Sequence, residues 1–247
     1  MDWKTQAILM TLPIILCTSC DVQRPEPHRT ASDVCRTIEA QHELPLDVRE
    51  TSGIALSGHG TDMLWTHNDA GHGPVLFLLS AGGALLQRVF VTGAGSEDWE
   101  DIEAAPCDEG RCLYIADIGD NSASRESVTI YEVVEPAPDA EATLPARPLH
   151  ARYPDGPHNA EALFMLPSGD LYIVTKGDDG PITLYRYPAA SRRESQATLQ
   201  RVRDAIAQPE DRADRVTGAA ASPDGSWIAI RTYRRLYFYP AEALVTG

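Results

Sequence analysis

Residues 161–187, EALFMLPSGDLYIVTKGDDGPITLYRY, contain three short apolar segments separated by turn residues. Segments of four to eight residues bounded by Gly, Pro, Ser and Asp are typical of antiparallel β-strands. The same order of a small-residue strand, a polar turn, a second strand and an aromatic third strand recurs along the chain. The other first strands are predicted at Ser52–Leu56, Glu100–Ala104 and Thr217–Ala221.

The repeated units predict an all-β fold. They begin 48 residues apart (Ser52 to Glu100) to 61 residues apart (Glu100 to Glu161), and a fourth strand is visible at Leu85–Val91 and more weakly at Leu199–Val202. Four-stranded units at this spacing are typical of β-propeller blades. We predict a propeller at 35–247 with blades at about 50–96, 97–157, 158–213 and 214–247, the last incomplete. A β-sandwich with chance similarity between its segments is the alternative.

The number of blades has two interpretations. The ring closes with four blades if Cys35–Leu46 supplies the missing outer strand of the last one. Alternatively, the four blades belong to a larger ring of five or six. The larger ring is the expectation, because Gly247 follows the third strand of the last unit, where another strand is due.

The first 20 residues, MDWKTQAILMTLPIILCTSC, indicate export. The uncharged run from Ala7 to Leu16 is too short to cross a bilayer, which takes a helix of roughly 20 residues. Two small residues then precede Cys20, which resembles a bacterial lipobox with Cys17 in place of the usual leucine. We predict a lipoprotein signal at 1–20, lipidation of Cys20, a flexible tether at 21–34 and anchoring to a membrane of the bacterial cell envelope. Simple secretion is the alternative.

Composition and cysteine spacing narrow the possible partners. The formal net charge is -15, with 43% hydrophobic and 23% charged residues, as in folded proteins. This acidity repels phosphate backbones, so nucleic acid is not expected as a partner.

Cys107 and Cys112 flank a four-residue turn, and in an oxidising compartment this spacing favours a disulfide across a hairpin over a metal pair. Cys35 has no predicted partner.

Six different motifs lie near the ends of the predicted strands. They are ETSGI (50–54), HNDAG (67–71), DWEDI (98–102), DIGDN (117–121), YPDG with NAEAL (153–156 and 159–163), and VTGA with SPDG (216–219 and 222–225). Together they resemble bacterial exported β-propeller proteins of unknown function, similar in plan to the SdiA-regulated and esterase-like phytase propeller groups. The resemblance covers about residues 48 to 240 and implies a propeller longer than this chain. It supplies a fold and no activity.

The alignment of the repeats predicts a site. Equivalent positions on the innermost strands converge on a propeller axis, and here they are Ser52, Glu100, Glu161 and Thr217. Two carboxylates in such a ring are costly to desolvate unless a cation joins them, and oxygen ligands suit Ca²⁺ or Mg²⁺. Glu100 and Glu161 are therefore the predicted metal ligands. A solvated channel mouth without a specific ligand is the alternative.

Other polar residues should lie at the same end of the blades. Loops after the second strands share the end where the first strands begin, which predicts ligand-binding residues at Asp69, Asp98, Asp117, Asp120, Asn121 and Lys176. For each of these, ordinary turn chemistry is the alternative. His67 is a candidate proton carrier near the same face.

The motifs favour binding over catalysis. The sequence has no Gly-x-Ser-x-Gly elbow, no His-Glu-x-x-His helix and no phosphate-binding glycine loop. We expect a cell-envelope propeller that binds a small molecule, glycan or protein at an acidic channel mouth, with a structural Ca²⁺. The alternative is a metal-assisted hydrolase of an ester, phosphoester or lactone, with Glu100, Glu161 and His67 as catalytic candidates. A scaffold without either property is the third interpretation.

Overall fold

The computed structural model describes residues 43–246 of the chain. The predicted signal (1–20), the tether (21–34), Cys20 and Cys35 lie outside the described residues. Within the described range, none of the helices is long and apolar enough to cross a membrane.

The described residues form four sheets of mainly antiparallel strands. Blade 1 consists of β1 (Thr51–Leu56), β2 (Met63–Asn68), β3 (Val75–Ser80) and β4 (Leu85–Phe90). Blade 2 consists of β5 (Trp99–Cys107), β6 (Gly110–Asp117), β7 (Val128–Val134) and β8 (Arg147–Arg152). The inner three strands of blade 3 are β9 (Ala160–Met165), β10 (Leu171–Thr175) and β11 (Ile182–Tyr187).

The chain then links blades 2 and 3. After β11, the two-residue β12 (Ala197–Thr198) pairs in parallel with β8, and β13 (Gln200–Ile206) returns as the outer strand of blade 3. Blade 4 has three strands in the described range, β14 (Val216–Ala221), β15 (Trp227–Thr232) and β16 (Leu236–Pro240), followed by α1 (Ala241–Val245). The predicted β-propeller fold, with four blades in this chain, is confirmed, whereas membership of a larger ring stays a prediction.

Successive side chains along a strand point to opposite faces of the sheet, and together they form the cores between neighbouring blades. In β6, Leu113 and Ile115 pack towards blade 1, and the intervening Tyr114 packs towards blade 3. Such a strand is buried on both faces, which explains its nearly continuous apolar sequence. Trp99 is fully buried between blades 1 and 2, and truncating an aromatic side chain at such a position costs about 3–5 kcal/mol.

The inner strands approach one another closely. A Cβ atom on Gly53 would lie 2.5 Å from the backbone nitrogen of Ile102, so only glycine lets β1 pack this tightly on β5. The buried carboxylate of Asp101 joins three inner strands. It accepts hydrogen bonds from the backbone N–H of Ile102 (2.9 Å), of Leu163 in β9 (2.8 Å) and of Ala219 in β14 (3.5 Å).

The two terminal blades each present apolar side chains to solvent. Ile54 of blade 1 is 56% exposed and Phe238 of blade 4 is 58% exposed. Blades 2 and 3, in contrast, bury both of their faces. In the hairpin of β5 and β6, Cys107 and Cys112 form a disulfide with a Cα–Cα distance of 5.7 Å.

Candidate functional site

The four inner strands begin at the same end of the propeller, and the second strands of the blades finish at that end. The first register partners are Thr51 with Asn68, Trp99 with Asp117, Ala160 with Thr175, and Val216 with Thr232. We call this end the acidic face and define it by Asp69, Asp98, Glu100, Glu161 and Lys176.

Each inner strand has a β-bulge near its first residue. The pairing shifts register between Trp99 and Asp101 in blade 2, and around Glu161 in blade 3. Similar shifts occur between Thr51 and Ile54 and between Val216 and Gly218. A bulge re-aims the extra side chain, and bulges are frequent beside functional sites. The four positions that the repeat alignment equates, Ser52, Glu100, Glu161 and Thr217, therefore all lie at bulges.

Three carboxylates form the centre of the acidic face. One oxygen from each of Asp69, Asp98 and Glu100 lies within 4.8 Å of the other two. Asp98 is 8% exposed and Glu100 is 3% exposed. Among the described residues, Oδ1 of Asp98 has no hydrogen-bond partner although it is buried. Ser52 Oγ donates to Oε2 of Glu100 at 3.1 Å, which fixes one oxygen of that carboxylate.

The close carboxylates disfavour one another's charge. Burial, followed by the negative charges of Glu161 and Asp69, raises the pKa of Glu100 to about 9. Burial and the neighbouring Asp69 carboxylate raise the pKa of Asp98 to about 6. A bound cation would relieve this repulsion and displace protons from the carboxylates.

Lys176 supplies a fixed positive charge beside this group. Its Nζ forms an ion pair with Oε1 of Glu161, and both side chains are largely buried. Burial disfavours the charge of Lys176, but the interaction with Glu161 outweighs it, so the pKa of Lys176 is raised. Burial raises the pKa of Glu161 despite the opposing effect of Lys176. Glu161 therefore has a protein cation as its partner and lies outside the close group of Asp69, Asp98 and Glu100, and its role as a metal ligand stays a prediction.

Gly119 leaves room for these carboxylates. A Cβ atom at this position would lie 2.4 Å from Cγ of Asp98 and 2.6 Å from Oε1 of Glu100. The backbone N–H of Gly119 also donates to the carbonyl oxygen of Asp98 at 3.1 Å. The loop after β6 thus lies directly against the carboxylate cluster because it has no side chain at this point.

Asp117 and Asp120 shape that loop. Asp117 accepts from the backbone N–H of Asp98 (3.1 Å) and from Arg125 Nη1 (2.9 Å). Asp120 accepts from the backbone N–H of Ser124 and of Arg125, both at 2.7 Å. These bonds use both oxygens of Asp117 or one oxygen of Asp120 for turn structure, so the two residues position the loop, and their role in ligand binding stays a prediction.

The remaining predicted residues lie in different surroundings. Asn121 Nδ2 donates weakly to Oδ2 of Asp98 at 3.5 Å and so borders the cluster. His67 is fully buried and contacts Trp99 edge to face, with ring centroids 5.5 Å apart. Burial lowers the pKa of His67. A neutral imidazole in the core argues against the proton-carrier role. Thr217 accepts a hydrogen bond from Arg231 Nε at 2.9 Å.

Sequence reasoning missed three residues of this region: Gly119, Arg125 and Asn159. Gly119 lies inside the DIGDN motif, where a glycine between two acidic residues was interpretable as ordinary turn chemistry. The Arg125 and Asn159 side chains reach the site through loops whose course the repeats do not specify. Asn159 Oδ1 accepts from the backbone N–H of Asp120 at 2.9 Å and so joins the loops of blades 2 and 3.

Similarity to known proteins is confined to solved structures. No family model and no curated protein matches the chain. Hydrazine synthase of Kuenenia stuttgartiensis is 10% identical, with a TM-score of 0.41 over 73% of this chain and 43% of that one. Streptogramin B lyase is 12% identical, with a TM-score of 0.41 over 77% and 54%. The β-propeller domain of Cps50 (Swd1) from Myceliophteria thermophila is 13% identical, with a TM-score of 0.44 over 77% and 50%. The chain spans about half the length of these structures, and at these scores the likenesses add nothing to the strand pairing described above.

Proposed function

We propose that this protein is a binding propeller that holds a divalent cation, with Ca²⁺ favoured, at Asp69, Asp98 and Glu100 of the acidic face. The observation that carries the proposal is the approach of three carboxylate oxygens within 4.8 Å of one another. Like charges at this distance repel strongly when they are also buried.

The residues fit a hard cation. All the donors are oxygens, which suit Ca²⁺ and Mg²⁺, and the group contains no thiolate or imidazole that would select zinc. The buried Oδ1 of Asp98 has no partner among residues 43–246, and a buried acceptor without one is costly. The cation would satisfy this oxygen and neutralise part of the local charge. Three carboxylates leave coordination positions for a ligand at the channel mouth, since Ca²⁺ takes six to eight oxygens.

Titration calorimetry on the metal-stripped full chain tests the proposal. Ca²⁺ should bind once per chain, and Asp98→Asn and Glu100→Gln should each weaken binding at least about tenfold because they remove a charged ligand. Glu109→Gln is the matched control, because Glu109 is an exposed acid in the hairpin turn at the opposite end of blade 2. Absence of Ca²⁺ and Mg²⁺ binding, or equal affinity in the three variants, would refute the cation site.

A metal-assisted hydrolase is the second candidate. It is favoured by the hydrogen bond from Ser52 Oγ to Glu100 and by the neighbouring Lys176–Glu161 ion pair. These groups supply a hydroxyl, an acid and a base within one cluster. Turnover of a phosphoester, lactone or carboxylester that is lost in Glu100→Gln and Glu161→Gln, with both variants folded, would establish the enzyme. Cation binding without turnover of any of these substrates would leave the binding function.

We also propose that the chain is exported and anchored in the cell envelope by a lipid on Cys20. The support is the apolar run and the lipobox-like residues before Cys20. Labelling of cells with an alkyne-bearing fatty acid should tag the wild type and not Cys20→Ser, and the variant should leave the membrane fraction. Equal labelling of both proteins would refute the anchor.

A further inference from the structure

A second concave site lies on the same end of the propeller, beside blade 3. Its cavity has a volume of about 420 Å³, within the range of small-molecule sites, which is roughly 300–1,000 Å³. The side chains that matter for its chemistry are Asp155, His158, Asn159, Asp178, Tyr185 and Arg201. None of the cation-site residues Asp69, Asp98 and Glu100 lines it. We call it the blade 3 pocket.

Tyr185 and Asp155 organise one wall of the pocket. Tyr185 is buried, and its hydroxyl contacts Oδ2 of Asp155 at 2.8 Å and Nε2 of His158 at 2.9 Å. His158 Nε2 also lies 3.1 Å from Oδ1 of Asp155, and Arg201 Nε lies 3.5 Å from Oδ2. These contacts hold a carboxylate, an imidazole and a guanidinium in fixed positions, although Asp155 and Arg201 both remain partly open to solvent.

Asn159 and Asp178 form a second part of the pocket lining. Asn159 is buried and donates from Nδ2 to Oδ2 of Asp178 at 2.8 Å, while Arg215 Nη1 pairs with Oδ1 of Asp178 at 2.5 Å. The pocket carboxylates at positions 155 and 178 are therefore both paired with arginines. The exposed Asp179 also lines the pocket and forms no ion pair among the described residues, so the pocket combines carboxylate acceptors with arginine and amide donors and carries an excess of negative charge.

We infer that the blade 3 pocket binds a neutral, hydroxyl-rich carbohydrate. A hydroxyl group donates one hydrogen bond and accepts others, so a ligand with neighbouring hydroxyls can satisfy carboxylate acceptors and Arg and Asn donors together. The partly exposed ring of His158, which packs against Tyr185 with centroids 5.4 Å apart, and the prolines at 157 and 181 provide apolar surface for the C–H groups of a sugar ring. The carboxylates disfavour phosphate, and the polar walls disfavour a purely apolar ligand.

The test uses the full chain and a printed array of neutral oligosaccharides of glucose, galactose, mannose and N-acetylglucosamine. The strongest binder is then measured by calorimetry in the presence of EGTA. Binding should persist in EGTA and weaken at least about tenfold in Asp155→Asn and Arg201→Ala, because each change removes a charged hydrogen-bonding partner. Arg193→Ala is the matched control, since Arg193 is an exposed arginine in the turn at the other end of blade 3.

Three outcomes would overturn the inference. They are no binding to any neutral oligosaccharide, binding that Asp155→Asn and Arg201→Ala leave unchanged, and binding of spermidine or inorganic phosphate in place of sugars. Binding that disappears in EGTA would assign the sugar to the cation site and would equally refute the pocket. Asp155→Asn preserves side-chain shape, so it keeps the test valid if Arg201→Ala fails to fold. Calcium titration of the same variants separates this result from the fate of the cation proposal.

Discussion

Gly119→Ala should damage the cation site without removing any ligand. The added Cβ would lie 2.4 Å from Asp98 Cγ and 2.6 Å from Glu100 Oε1, whereas ordinary contacts begin near 3.4 Å. Both carboxylates must therefore retreat by about 1 Å, or the loop after β6 must move. The loop is held by Asp117 and Asp120 through hydrogen bonds of 2.7–3.1 Å, so we expect the carboxylates to yield.

The expected size follows from these displacements. Changes in the groups that orient metal ligands cost about 10–100-fold in metal affinity, and moving two ligands belongs in that range. Overpacking a filled site also costs about 1–3 kcal/mol of stability. For a domain of this size each kcal/mol lowers the Tm by about 2–4 °C.

Calcium titration and thermal unfolding measure the two effects. Gly73→Ala is the matched control, because Gly73 lies in the β2–β3 loop on the same face and a Cβ there would meet nothing within 4 Å. We expect Gly73→Ala to match the wild type in both assays. If Gly119→Ala binds Ca²⁺ as tightly as Gly73→Ala does, the carboxylates beside Gly119 are not the ligands, and the reasoning fails.

Three other changes test the fold around the site. Burial raises the pKa of Glu103 from 4.5 to about 7. The free energy of unfolding that this group contributes below pH 4.5 is therefore lost as the pH rises through 7. In urea unfolding, Glu103→Gln should reduce this fall in the free energy of unfolding between pH 4.5 and 7 by at most about 3 kcal/mol. Asp101→Asn should lower the free energy of unfolding in the same assay at pH 7 by about 1–3 kcal/mol, because the new amide N–H₂ would face the backbone N–H of Ile102 or Leu163. An unchanged urea midpoint would contradict the bridging role of Asp101. Trp227→Ser with Phe238→Ser should leave the Tm within a few degrees of the wild type in thermal unfolding, since both side chains are about half exposed; a much larger loss would show that they belong to the core.

The fold could be predicted because the sequence contains an internal repeat. Each unit shows strand-length apolar segments and turn residues, and the four expected first strands, which begin at Ser52, Glu100, Glu161 and Thr217, correspond to β1, β5, β9 and β14 of the structure. The outer strands were harder to predict. In blade 2 the outer strand Arg147–Arg152 alternates exposed and buried residues and includes a proline, so its apolar signal is weak. In blade 3 it runs from Gln200 to Ile206 and is mostly polar, and the prediction found only its beginning.

The sequence places the candidate site near the starts of the inner strands but does not reveal all of its contacts. Alignment of the repeats brings Glu100 near Glu161, and the charge of Glu161 contributes to the raised pKa of Glu100. The alignment could not reveal that Lys176 pairs with Glu161 or that the Asp69 carboxylate approaches Asp98. Those contacts depend on loop conformations and side-chain rotamers, which no spacing in the sequence specifies.

The four bulges lie at equivalent positions of the repeated scaffold but carry different side chains. Every inner strand re-aims one side chain at its start, but the residues there differ: Ser52, Glu100, Glu161 and Thr217. Lys176 pairs with the carboxylate of blade 3, and Arg231 binds the threonine of blade 4. The serine of blade 1 donates to Glu100 and adds no charge. The carboxylates of Asp69, Asp98 and Glu100 therefore meet at the boundary of blades 1 and 2, where none of them forms an ion pair with a lysine or arginine among residues 43–246, and this is where we propose that a cation binds.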